Sequence, residues 1–211
     1  QYVICQDQTI SIFIDVLVTR LTLQYIINLL LISQLELPTF KDLSKNYFGY
    51  KHKGSHGYSN LEIFAIIGKA PLPQEHKEDT TALRLSLAFN KIGGEHRLGS
   101  DEIHISKSHD HDSVLGRDGQ QYIFRTTSYG PFLAMKYKSP QLIRIDPMDS
   151  EKPVRTITGR QGIVRFVTFH NKNKHADARI ALWDCDHLYE TRELNKMHHL
   201  ISVEFWELPG I

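Results

Sequence analysis

With 211 residues, the chain is long enough to bury one sizeable core and is not required to divide into two. Its 25 Lys and Arg stand against 24 Asp and Glu, so no overall basic field exists to attract nucleic acid or an anionic membrane surface. Two cysteines, Cys5 and Cys185, allow at most one intramolecular disulfide, which excludes a scaffold built on disulfides.

The first methionine is Met135, and the expectation is a processed, truncated or fragmentary chain. Ile10 to Ser33 is apolar, but Asp15, Arg20, Gln24 and Asn28 interrupt it. A membrane-spanning helix wants about 20 mostly apolar residues clear of charge, so no stable span is expected here. The charge-free run from Leu21 to Ile32, following Arg20, has the length of a signal-peptide core. Residues 1–37 are therefore expected to be an export signal or an amphipathic helix docked on the body. Residues 38–60, centred on Lys51-His-Lys-Gly-Ser-His-Gly57, are too poor in apolar residues to pack and read as a polar linker. The main domain is expected over residues 61–211.

That domain starts with a short buried element, Leu61 to Ile67, ended by Gly68, Pro71 and Pro73. Next, Ala82, Leu83, Leu85, Leu87 and Phe89 recur at helical spacing and predict a central helix with the charge of Arg84 on its other side. Asp79, Thr80 and Thr81 are its N-cap candidates, and Asn90 with Gly93 and Gly94 its stop. Gly94 to Gly119 is hydrophilic and contains His109 and His111 alternating with Asp110 and Asp112. Alternation points both imidazoles to one side of an extended chain, a weak candidate for metal, but the further ligands of a zinc site are missing and a solvated loop is the stronger reading. Gln121 to Thr127 reads as a strand, Tyr129 to Tyr137 as a short helix ended by Ser139-Pro140, and Arg144 to Pro153 as a charged connection. Three alternating, β-branched and aromatic stretches follow, Gly159 to Phe169, Asp177 to Asp184 and Val203 to Pro209, and predict an antiparallel sheet. A capped helix ahead of such a sheet makes an α+β domain.

Thr80-Thr-Ala-Leu-Arg-Leu-Ser-Leu-Ala-Phe-Asn90, Asp118-Gly-Gln-Gln-Tyr-Ile-Phe-Arg125, Gly159 to Phe166, Ala178-Arg-Ile-Ala-Leu-Trp-Asp184 and Phe205-Trp-Glu-Leu-Pro209 occur in that order. In these pieces, from about Asp79 to Pro209, the chain resembles the fourth family of type VI secretion amidase effectors. These are bacterial papain-like enzymes that cut peptidoglycan stem peptides between D-glutamate and diaminopimelate. The resemblance implies a papain-like fold in which a helix of the N-terminal half packs on a mostly antiparallel sheet. It also implies a site with a Cys at that helix's N-terminus, a His from a strand and an orienting acid. Thr81 stands where the family has its Cys and Arg179 where it has its His, while Asp186 or Glu190 takes the place of the acid. A threonine hydroxyl without an adjacent base is a weak nucleophile, and a guanidinium has no lone pair with which to accept its proton.

The resemblance thus implies a degenerate dyad and a pseudoenzyme that retains the groove for cell-wall peptide or a protein partner. Bland roles stand beside this one. Thr81 serves as an N-cap, or Arg179 projects from the sheet and pairs with Asp177 or Glu204; in the family's register, Arg179 instead points into the old groove and holds a carboxylate. A second reading is an active amide hydrolase with a rearranged site, using Cys185 or Thr81 as nucleophile and His175 or His187 as base. A third is a metal-binding or structural protein. Arg84, Trp183 and Trp206 are expected to line the groove, with the tryptophans also contributing to the core. No cofactor is called for, and the family's habits imply a secreted, extracytoplasmic antibacterial effector.

Overall fold

A computed structural model describes residues 20, 22, 35–49, 57–70, 79–107, 110–170, 175–189 and 200–210, the side chains of residues 170, 175 and 176 excepted. The chain divides into two units, Gln1–Leu35 and Glu36–Ile211, and the account below concerns the second. The expected signal or docked helix falls almost wholly outside the described residues. Among those residues, no helix is long and apolar enough to cross a membrane.

Helix α1, Phe40–Asn46, forms where only linker was expected. Thr39 caps it by accepting the Asp42 N–H at 3.1 Å, and Phe40 and Leu43 turn inward. Fully burying a side chain such as Leu43 contributes about 1.5–3 kcal/mol, enough to hold a two-turn helix that composition alone would leave as loop. Helix α2, Asn60–Ile67, starts with a reciprocal capping box between Ser59 and Glu62 and ends at Gly68, whose φ of 79° is left-handed. It buries Ile63, Phe64 and Ile67.

Helix α3, Thr81–Ile92, is the centre of the unit: every residue from Thr81 to Asn90 is buried. On one side Leu83 and Leu87 meet Phe48, Ile63, Phe64, Ile67, Tyr122 and Phe124. On another, the Ser86 hydroxyl and Tyr129 lie in hydrogen-bond contact at 3.4 Å, and Phe89 stacks on Tyr137 with ring centres 5.7 Å apart. Strands β1, Ser113–Leu115, and β2, Gln121–Ile123, make a small antiparallel hairpin over this region. The predicted Gln121–Thr127 strand stops early because helix α4, Thr126–Lys136, has already begun.

The five-stranded sheet is antiparallel throughout, in the order β3 (Gln141–Arg144), β7 (Leu200–Glu207), β4 (Arg160–His170), β5 (His175–Cys185), β6 (His187–Leu188). Its long strands lie on the three predicted stretches. Strand alternation divides the sheet into two faces. Val164, Phe166, Ala181, Trp183, Val203 and Phe205 form one core with Ile157, from helix α5, Lys152–Ile157. The Trp183 indole seals it by donating to the Ile157 carbonyl at 3.1 Å. The other face carries Ile163, Arg165, Ile180, Leu182 and Trp206, and α4 lies on it. Arg165 donates to the carbonyls of Thr126 and Thr127, at 3.1 and 3.0 Å. Pro131 has no N–H to give to the Thr127 carbonyl, and the guanidinium takes that missing donor's place. Close approach requires glycine at residue 130, where a Cβ would stand 2.7 Å from Arg165 Nη1. Because α3 touches α4 through Ser86 and Tyr129 and also packs on β5, it lies on this same face. The fold is α+β and papain-like, with a helix of the N-terminal half packed on an antiparallel sheet.

Candidate functional site

The N-terminus of α3 is built by three consecutive residues. Thr80 occupies the N-cap position, yet its side chain caps no helix N–H. The preceding Asp79 does so instead: its Oδ1 accepts the Thr81 N–H at 2.8 Å and the Thr81 hydroxyl at 2.6 Å. This Asp-x-Thr arrangement is an Asx-turn, with a carboxylate placed at the positive end of the helix dipole. Thr81 is therefore the first helical residue rather than the cap, and it is only 1 % exposed. Its hydroxyl is neither open to solvent nor free of a partner.

Arg179 lies on β5 opposite Phe166, which puts it on the Trp183 face and half-buried. Helices α3 and α4 cover the other face, so strand alternation does not aim Arg179 at the layer holding Thr81. The pairing expected with Glu204 is also absent: Glu204 Oε2 is held by Arg165 Nη1 at 2.6 Å, and Asp177 Oδ1 accepts the Ala178 N–H at 2.8 Å.

Beyond β5 the chain reverses through Cys185 and Asp186. Cys185 is an exposed free thiol with a φ of 55°, in the left-handed region. Desolvation, followed by the flanking carboxylates of Asp184 and Asp186, pushes that thiol up, away from the thiolate a nucleophile needs. Asp186 is exposed, and its Oδ1 lies 2.6 Å from Nδ1 of the adjacent His187. His187 is thus engaged by Asp186. His175 opens the same 11-residue strand that Cys185 closes. At about 3.3 Å per residue the two ends are on the order of 33 Å apart, so these residues cannot form a dyad. Glu190 lies outside the described residues.

Three solved structures share this architecture, each superposing over nearly all of its own length. The type VI effector Tae4 from Enterobacter cloacae gives a TM-score of 0.58 at 16 % identity, covering 83 % of this chain and 99 % of that one. Tae4 in the Tae4–Tai4 effector–immunity complex from Salmonella Typhimurium gives 0.57 at 16 %, covering 82 % and 100 %. Its counterpart in the Enterobacter cloacae complex gives 0.55 at 15 %, covering 82 % and 99 %. The chain has the fold of the Tae4 effectors. No family model matches the sequence, and no curated protein matches it.

On this Tae4-like fold the expected groove residues are not groove residues. Trp183 and Arg84 are fully buried and Trp206 is 1 % exposed, so none presents a surface to a substrate. The Trp206 indole donates to the Lys138 carbonyl at 2.8 Å. Arg84 does not project from α3 into solvent. Its Nε donates to Thr80 Oγ1 at 2.8 Å, Nη1 to the carbonyls of Phe48 and Gly49 at 2.6 and 2.8 Å, and Nη2 to the Tyr58 carbonyl and Asn60 Oδ1 at 2.9 and 3.1 Å. Phe48, Gly49, Tyr58 and Asn60, in the stretch read from sequence as linker, are thereby pinned to α3.

Of the two histidines in the metal candidate, the structure describes His111, which is engaged locally. His111 Nδ1 meets Glu102 Oε1 at 2.5 Å, and that hydrogen bond raises the imidazole above its ordinary value. Asp112 is fully buried: Oδ2 accepts the N–H groups of Ile105 and Ser106, both at 2.7 Å, and Oδ1 accepts the Ser128 hydroxyl at 2.6 Å. His109 lies outside the described residues, and among those described no three His, Cys, Asp or Glu side chains cluster as metal ligands.

Proposed function

We propose that this chain is an amidase-effector-like domain that has lost amide-bond cleavage and retains a binding role toward peptidoglycan stem peptide or a protein partner. The carrying observation is Thr81. At the position of the family's nucleophilic Cys, its hydroxyl is buried and donated to Asp79 at 2.6 Å. Arg179, at the His position, has no acceptor lone pair with which to replace the base. In a comparable serine-protease triad, loss of nucleophile or base lowers kcat by about six orders of magnitude, which here would leave negligible turnover. The raised Cys185 thiol supports the same reading against a rearranged site. A protein partner is supported by the Tae4 structures solved as complexes with Tai4. Action outside the cytoplasm follows if the binding role toward cell-wall peptide is retained.

The test is incubation of the purified chain with muropeptides, followed by chromatography. No product is expected. Hydrolysis that disappears in Thr81→Ala or Cys185→Ala would overturn the proposal. Binding is read separately, by calorimetry against intact stem peptide.

A further inference from the structure

We infer that Asp79 by itself disables the nucleophile position, because its carboxylate already occupies the helix N-terminus that would otherwise stabilise an anion on residue 81. This rests on the reading that Thr81 stands at that position. A cysteine there becomes a nucleophile by ionising, and a helix N-terminus favours the thiolate through its orphan N–H groups and dipole. Here the Thr81 N–H donates to Asp79 Oδ1 at 2.8 Å, and the same oxygen accepts Thr81 Oγ1 at 2.6 Å. A sulfur in place of Oγ1 would abut a full negative charge. Like charges in one site push the second ionisation upward, as with two carboxylates sharing a proton. The burial of Thr81 adds to this by withholding the water that would screen the pair.

At the helix start the degeneration therefore involves two residues rather than one. Thr81 removes the sulfur, and Asp79 reverses the charge at the place where the thiolate would form. Restoring Cys at 81 alone leaves the thiol protonated; restoring a neutral residue at 79 is also required.

The experiment compares two full-length variants, Thr81→Cys and Thr81→Cys/Asp79→Asn, by ultraviolet thiolate absorbance across pH. Each is measured as a difference from the parent protein with the same substitution, or none, at residue 79, which cancels Cys5 and Cys185. Asn retains the side-chain oxygen that caps α3 while removing its charge, and circular dichroism checks that both variants fold. Should Asp79→Asn fail to fold, Asp79→Ser gives the same comparison. With Asp79 present, the new thiol is expected to ionise at least about one pH unit above the ordinary cysteine value of about 8.5. Without the charge it should ionise at least about one unit lower than that, giving roughly tenfold more thiolate near neutrality. Superimposed titration curves, or ionisation at or below the ordinary value with Asp79 intact, would overturn the role assigned to Asp79. Neither outcome depends on turnover. Muropeptide cleavage by the parent chain would instead overturn the pseudoenzyme reading and leave the ionisation comparison standing.

Discussion

Replacing Arg84 by Leu should destabilise the protein severely without touching its surface. The guanidinium is fully buried and satisfies three main-chain carbonyls, an amide oxygen and a hydroxyl. Some of these acceptors keep another donor when it is removed. The Gly49 carbonyl still receives the Tyr58 N–H at 2.8 Å, and Thr80 Oγ1 still donates to Asn60 Oδ1 at 2.8 Å. The carbonyls of Phe48 and Tyr58 lose the Arg84 donors described here. At about 1–3 kcal/mol for each buried group left unmet, the cost is about 2–6 kcal/mol, reduced slightly by the apolar burial that Leu adds. We expect about 3–5 kcal/mol. Urea unfolding followed by tryptophan fluorescence should show a midpoint lower by at least about 1 M, given slopes of about 1–3 kcal/mol/M. Arg84→Lys, with three donors for five acceptors, should fall between the two. A midpoint shift below about 0.3 M for Arg84→Leu would refute the claim that this residue pins Phe48, Gly49, Tyr58 and Asn60 to α3.

Arg165→Met should cost about 3–5 kcal/mol in the same assay, because it leaves Glu204 unpaired at a 2.6 Å contact and removes the donor that offsets Pro131; a loss under about 1 kcal/mol would remove that role. Cys185→Gly should raise stability by about 0.5–1 kcal/mol, since a φ of 55° strains any residue with a Cβ; a lower melting temperature would contradict this. The Asp112 carboxyl is subject to burial, which alone would raise it, but hydrogen bonds from Ser128, Ser106 and Ile105 and the charge of Arg125 hold it below the usual carboxylate range. A folded value below the unfolded one means that this contribution is fully present above about pH 4 and is lost as the pH falls through the folded value. The stability difference between the parent and Asp112→Asn should therefore shrink on acidification below about pH 4, and a difference independent of pH would overturn the assignment.

The sheet was legible because period-two alternation is local. Val164, Phe166, Ala181 and Trp183 announce one face, and Ile163, Ile180 and Leu182 the other, whatever lies around them. The first turn of α3 was legible as a helix start for the same reason. What could not be read was the environment of that helix. A stripe of Leu83, Leu87 and their neighbours predicts one buried side and a solvated Arg84, whereas α3 is buried on every side. The main-chain carbonyls and the amide oxygen that satisfy Arg84 lie 24 to 36 positions upstream in sequence, in a segment too polar to suggest packing. Helix α1 was missed on the same ground, since its inward-facing residues are few and Phe40 and Leu43 carry the contact. The two tryptophans were placed correctly in the core, but the groove assigned to them does not follow from being aromatic.

The residues that hold this fold are not the residues that would do its chemistry. Arg84 fixes α3 to the preceding loop, Arg165 and Glu204 fix α4 to the sheet, and the indoles of Trp183 and Trp206 close the sheet's connections. None of these contacts uses Thr81 Oγ1 or the Arg179 guanidinium. Either position can change its chemistry without removing an interaction that specifies the architecture. At the helix start the change is locally favourable as well, because an Asp two residues before a first-turn Thr satisfies an orphan N–H and complements the dipole. Sharing the fold of Tae4 at 16 % identity is consistent with this separation of scaffold from site. The carboxylate that now stabilises α3 is the same one that makes the helix end hostile to a thiolate, so helix stability and nucleophile activation are opposed at a single residue, Asp79.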